Sequence, residues 1–155
     1  MPDAEAARPN PDPRAATMAL LARATRKELA LPLSAHWPNL AFATIRAPEI
    51  GLVMLRGRMG GDGAPFNLGE ATVTRAVVEL ETGELGYGQF LGRDPTRAEQ
   101  AAILEALAQR EADREMVERA VLAPIRQRLA EEAQRKRAET AATRVDFFTL
   151  VRAEG

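Results

Sequence analysis

Cysteine is absent from the 155-residue chain, which removes disulfides, thiol catalysis and cysteine-ligated metal. A single histidine, His36, cannot by itself build a His-pair zinc site or a metalloprotease helix, so no metal site is expected. No apolar run approaches the roughly 18 residues of a membrane span, and Met1 to Arg14 lack the apolar stretch of a signal peptide. A cytoplasmic protein is expected. Charge of one sign is lacking too: Lys+Arg number 21 against Asp+Glu 22, a net of −1 at pH 7. Such a balance produces no field able to hold a polyanion, which argues against nucleic acid as a partner. Large apolar side chains are scarce, because thirty of the residues that make up the hydrophobic 46% are alanine. The core should be thin for one domain of this length. Lysine is nearly missing, with only Lys27 and Lys136, so nineteen of the cations are arginines whose planar forks suit carboxylate or phosphate.

The chain reads as an α+β protein with one domain. Residues 1–13, with Pro2, Pro9, Pro11 and Pro13, have the composition of a disordered tail. Residues 14–152 form the domain. Helical spacing over 14–36 includes Thr25 to Glu28 in the T-x-x-E form of a capping box, and the helix should stop before Pro38. Over 41–91 the period drops to two, predicting an antiparallel meander of about four strands: Phe42–Arg46, Ile50–Met59, Ala71–Leu80 and Glu84–Leu91. Ala47 to Glu49 reads as a turn. Because Ile50, Leu52 and Met54 alternate with Val53 and Leu55, the second strand is expected to be covered on both faces, as a central strand is. Asp94-Pro95 marks a helix start, an N-cap followed by proline at the first helical position. Helices then fill 94–143, Pro124 kinking one or opening another, and the last is long and highly charged. The apolar segment 144–152 could add a fifth strand or be buried in a partner.

The residues that could carry chemistry are mostly arginines and glycines. Arg58, Gly60 and Gly61 lie in a glycine-rich stretch whose N–H groups could form an anion nest, although neither a P-loop nor a dinucleotide fingerprint is present. A structural hairpin is the plainer reading. Arg75, between Val73 and Val77 on one strand face, needs a partner, either an internal carboxylate such as Glu70 or Glu79 or a ligand phosphate. Arg93 stands beside the predicted helix start at Asp94, where an anion could sit, but Asp94 would oppose it. Gly86 and Gly88 strip one face of the fourth strand of side chains, which marks close approach of another backbone or a ligand. No Ser/His/Asp set, carboxylate pair or metal cluster is apparent, so a self-sufficient enzyme is not expected.

Gly51-Leu52-Val53, Arg58 to Gly63, Pro65 to Arg75, Gly86-Tyr87, Gly92-Arg93-Asp94 and Arg144-Val145-Asp146-Phe147-Phe148 together resemble the PhnG family, the G subunit of the bacterial carbon–phosphorus lyase system. The similarity runs from about Thr17 to Arg152. It implies a role in phosphonate catabolism within a complex whose principal contact is the I subunit, with H and J subunits, an L component and a second copy of this chain as further partners. It also implies that the complex displaces adenine from MgATP by a phosphonate. MgATP would be the substrate of the complex, with no cofactor held by this chain alone. The family assigns no secure catalytic residue to this subunit. Gly86, Gly88, Arg144, Phe147 and Phe148 are the candidate interface residues, and Arg58, Gly60, Gly61, Arg75 and Arg93 the candidate phosphate contacts. Two readings compete with an accessory subunit: direct contribution of arginines to a shared substrate site, and a pure assembly scaffold.

Overall fold

A computed structural model describes residues 12–60 and 62–142. Helix α1 (Pro13–Leu21) opens with Asp12 as N-cap and proline at the first position, and α2 (Arg26–His36) carries the complete Thr25/Glu28 capping box. Both side-chain bonds of the box are present, so two backbone donors at the helix start are satisfied reciprocally. Three strands follow, β1 (Phe42–Arg58), β2 (Pro65–Leu80) and β3 (Leu85–Leu91), in one antiparallel sheet of order β1-β2-β3. The chain then turns into α3 (Pro95–Gln109), α4 (Glu111–Val117), a π-helical turn (Glu118–Leu122) and α5 (Ala123–Ala142).

The sheet differs from the expected four strands for a reason visible in the register. Ala47-Pro48-Glu49 does not turn the chain; β1 continues through it, and the pairing with β2 slips between Thr44 and Arg46 and again between Arg46 and Glu49. Two bulges therefore absorb the surplus residues while the strand keeps its partner. Pro48 is tolerated because it falls within the second bulge, with no partner on β2, and because β1 lies at the sheet edge. This position also corrects the expectation of a central, doubly covered strand: most of β1 is exposed.

Alanine on α3 and glycine on β3 explain how so few large side chains make a core. Ala98, Ala101, Ala102, Ile103, Leu104, Ala106 and Leu107 are all buried, because α3 packs on the sheet with one side and on α1, α2 and α4 with the other. A Cβ at Gly86 would lie 1.9 Å from the Ala102 carbonyl oxygen, and one at Gly88 would lie 1.8 Å from that of Ala98. The bare strand face thus lets the helix backbone settle directly on the sheet. Phe90, Leu80, Val78, Leu29, Val117 and Ile125 are among the residues that join them in the core.

The π turn has a local cause. Proline cannot donate to the helix ladder and its ring crowds the carbonyl four residues back, so a regular turn cannot run through Pro124. Just before it, the Ala123 N–H reaches back five residues to the Glu118 carbonyl. The helix is thereby continued rather than ended, and α5 is anchored by Ile125 and by Arg128. Arg128 donates to Glu28 Oε1 at 2.7 Å, to Glu132 Oε1 at 2.8 Å and to the Arg23 carbonyl at 3.0 Å. Beyond Glu132, residues 133–141 are exposed.

Candidate functional site

The candidate anion contacts do not converge. Arg58 is at the tip of the β1–β2 hairpin, where its Nη1 donates to the Gly63 carbonyl at 3.3 Å across a turn closed by the Gly63 N–H on Met59. Gly60 adopts φ +61°, which gives that turn its glycine requirement, and Gly61 lies outside the described residues. Arg58 pairs with Pro65, and the ten residues of β2 from there to Arg75 span roughly 33 Å. Arg75 is bonded neither to Glu70 nor to Glu79. Its Nη2 meets Glu49 Oε1 at 3.3 Å, because Glu49 is its direct cross-strand partner, and Arg46 shares the same oxygen at 3.1 Å. Opposite charges directly across a ladder outcompete residues farther along the same strand. Arg93 is exposed, with no partner among the described residues, while Asp94 beside it is committed. Asp94 caps α3 through the Arg97 N–H at 3.2 Å and pairs with Arg26 Nε at 2.8 Å; the Arg26 bond holds its carboxyl below the usual range.

Gly86 and Gly88 are not partner-facing. The backbone that approaches them belongs to α3 of the same chain, so the proposed interface role is withdrawn for both. Arg144, Phe147 and Phe148 lie outside the described residues. What stands open instead is the hairpin. The half of the β1–β2 ribbon that runs beyond α3 exposes Ile50, Leu52, Met54, Leu55, Phe66 and Leu68, with Leu52 61% and Leu68 65% accessible. From the register, Ile50, Leu52 and Met54 share the face on which Thr74, Ala76 and Val78 meet α3 farther along β2; Leu55 lies on the other face. An edge strand this long and apolar is an invitation to another chain.

The most buried charged group carries no sequence motif. Glu105, on the buried side of α3, is 1% exposed and accepts from Arg14 Nε at 2.7 Å, from the Tyr87 N–H at 3.0 Å and from Gln109 Nε2 at 3.1 Å. Arg14 Nη2 also reaches the Leu85 carbonyl at 2.8 Å, and its guanidinium, held above its ordinary pKa chiefly by the hydrogen bond to Glu105, lies 5.2 Å from the Tyr87 ring centre. The cleft beside it, about 620 Å³ and flanked by Arg14, Arg114 and Arg126, offers no free cation of these three. Arg126 is paired with Glu118 at 2.8 Å, and Arg114 is spent on the carbonyls of Ala108 and Gln109. The only sequence hint of Glu105 was a lone carboxylate inside an apolar helical run. His36 is exposed, packed edge-on against Trp37 at 5.6 Å, whose Nε1 donates to Asp113 at 2.7 Å. Among the described residues no three His, Cys, Asp or Glu side chains are grouped to hold a metal, and no helix is long and apolar enough to cross a membrane.

The architecture is that of an α+β protein: a small, well-packed body, a cleft whose flanking arginines are bonded, and an apolar ribbon that the described residues leave exposed. Residues 12–153 match the family described as Phosphonate metabolism protein PhnG. A relative from Rhizobium meliloti (strain 1021), named alpha-D-ribose 1-methylphosphonate 5-triphosphate synthase subunit PhnG, is 57% identical over 137 residues. That match covers 88% of this chain and 87% of the relative. The chain belongs to the PhnG family of phosphonate metabolism proteins.

Proposed function

We propose that this chain is a non-autonomous subunit of an α-D-ribose 1-methylphosphonate 5-triphosphate synthase, in which a phosphonate displaces adenine from MgATP. In that reaction the bond between the ribose anomeric carbon and adenine breaks, and a bond from that carbon to a phosphonate oxygen forms. The observation that carries the reading is 57% identity to a subunit of that name across nearly the whole of both chains. The geometry supports an accessory role. Arg58 and Arg75 stand roughly 33 Å of strand apart, and the three arginines flanking the cleft beside Glu105 are already bonded. The exposed ribbon of Ile50, Leu52, Met54 and Phe66 is the surface offered for assembly, and the I subunit is its proposed partner, alongside the H and J subunits and the L component. The test is adenine release from MgATP and methylphosphonate by the reconstituted components with and without this chain. Release that depends on the chain is expected. Undiminished release in its absence would remove the subunit role.

A further inference from the structure

The outer edge of β3 is divided into a closed half and an open half. At the closed half, the Leu85 carbonyl is taken by Arg14 and Gln109, and the Tyr87 N–H by Glu105. Those bonds establish that the odd-numbered residues of β3 direct their backbone groups away from β2, while Gly92, one step past the strand, bonds inward to Thr72. Gln89 and Leu91 continue the outward row. Their N–H and C=O groups find no partner among the described residues, and Leu91 is 73% exposed. The closed half shows how this fold blunts a strand edge with side chains; among the described residues the open half carries no such device.

Alongside the open half lies a groove of about 570 Å³ between α1, β3 and the start of α3. Its walls are mostly apolar, with Met18, Leu21, Phe90 and Leu91 among them, and its two charged residues are both arginines, Arg23 and Arg97. Arg97 is partly buried with its guanidinium 3.9 Å from the Phe90 ring centre, and its Nε has neither solvent contact nor a hydrogen-bond partner. Burial lowers its pKa, the direction of a cation drawn out of water without full compensation. Asp94, three residues before it, takes only the Arg97 backbone N–H and gives its other oxygen to Arg26. A stacked arginine with an unused donor, in a groove that no described carboxylate lines, is complementary to a single anionic group. Unpaired strand backbone beside it is complementary to an extended chain.

We propose that this groove receives an extended segment of a different subunit, which adds a strand to β3 at Gln89 and Leu91 and places an Asp or Glu carboxylate on Arg97. The proposal rests on the subunit role proposed above. A peptide is favoured over a free phosphate because the strand edge supplies directional backbone bonds along an apolar slot, and only two arginines supply charge. Apolar side chains of the segment would alternate into the slot past Met18 and Leu21, while its backbone continues the sheet.

The test is a photo-crosslinking amino acid at Leu91 in the assembled, active complex. An adduct with another subunit, mapped to a segment bearing Asp or Glu among apolar residues, is expected. An adduct with a second copy of this chain, with its own residues 143–155, or no adduct at all overturns the proposal while leaving the subunit role intact if adenine release still needs the chain. Gln89→Pro removes one outward N–H and no bond to β2, and Arg97→Gln removes the cation. Each is expected to lower the adduct yield about tenfold, the scale of one charge-assisted or edge hydrogen bond lost in a dry site, with Gln89→Ala as the control that retains it. Thermal unfolding of the isolated Gln89→Pro chain separates a blocked edge from a failed fold. Unchanged adduct yield from a folded Gln89→Pro chain and from Arg97→Gln would overturn the proposal as well.

Discussion

Arg14 and Glu105, ninety-one positions apart, meet through a 2.7 Å bond that joins the first helix to the central one. The carboxylate is 1% exposed and the guanidinium 40%, so one end of the pair is dry and the other wet. Glu105→Ala would leave the Tyr87 N–H and the Arg14 Nε–H without their acceptor. Because water still reaches Arg14, the expected loss is at the lower end for a broken buried pair, about 3 kcal/mol. Arg14→Ala, which leaves Gln109 and Tyr87 bonded to the carboxylate, should cost less. Urea midpoints of the two variants check the order; an Arg14→Ala loss larger than that of Glu105→Ala would contradict it.

Gly86 and Gly88 should be intolerant of even one methyl group. Alanine at either site would force its Cβ within 2 Å of an α3 carbonyl oxygen, which only displacement of the helix relieves. About 3 kcal/mol or more of destabilisation is expected for each, the upper range of overpacking. Gly57→Ala is the contrast: its Cβ would meet only the Phe66 ring, at 3.3 Å, and the effect should stay within about 1 kcal/mol. Thermal melts of the three variants decide it, and equal shifts would refute the close-approach account.

Acid should weaken the link between α2 and α5. Glu28 caps α2 through the Thr25 N–H and also pairs with Arg128 at 2.7 Å. The Arg128 hydrogen bond above all holds its carboxyl below the ordinary 4.5; burial pushes upward, and the two Thr25 bonds add to the lowering. A carboxyl whose folded pKa is lowered binds fewer protons in the folded state. Its contribution is therefore whole above pH 4.5 and is lost as pH falls through the lowered value. Asp94, lowered by its bond to Arg26, acts in the same direction. Stability measured from pH 6 to pH 3 should fall, and Arg128→Gln should flatten the fall. A slope identical in the variant and the parent chain would exclude this pair as its source.

The ribbon should be dispensable to the isolated chain and necessary to its assembly. Leu52 and Met54 are more than half exposed, so Leu52→Asp combined with Met54→Asp should change the stability of the chain alone by no more than about 1 kcal/mol. In the complex the same charges would be buried without partners, and co-purification with the other subunits should be lost. Co-purification at parental yield would show that this part of the ribbon is not covered.

Local chemistry was legible in the sequence wherever neighbours in the chain supply the partner. The capping box at Thr25 and Glu28, the Asp94-Pro95 helix start and the period-two alternation of β2 and β3 needed no distant residue. Gly86 and Gly88 could be read as a close-approach surface, yet whether the approaching backbone was the chain's own or a partner's depended on the packing of α3. The merging of two expected strands into β1 was hidden because Ala47-Pro48-Glu49 resembles a turn, and pairing with β2 overrides that local preference. Arg75 found Glu49 rather than Glu70 or Glu79 because register, not proximity in the chain, sets which charges face each other. Glu105 and Arg97 carried no motif at all.

By itself, the sequence determined the class of fold, the capped helix starts at Thr25 and Asp94, the scarcity of large apolar residues and the family. Those follow from short-range sterics, hydrogen bonding and composition. Tertiary structure alone decided which arginines are spent and which, among the described residues, remain unpaired, and no described residue covers the β1–β2 ribbon or half of the β3 edge. Such outcomes depend on which distant groups meet and are desolvated together. Alanine on α3 and glycine on β3 make that difference plain: each is an unremarkable small residue alone, and together they allow a contact that no larger pair could make.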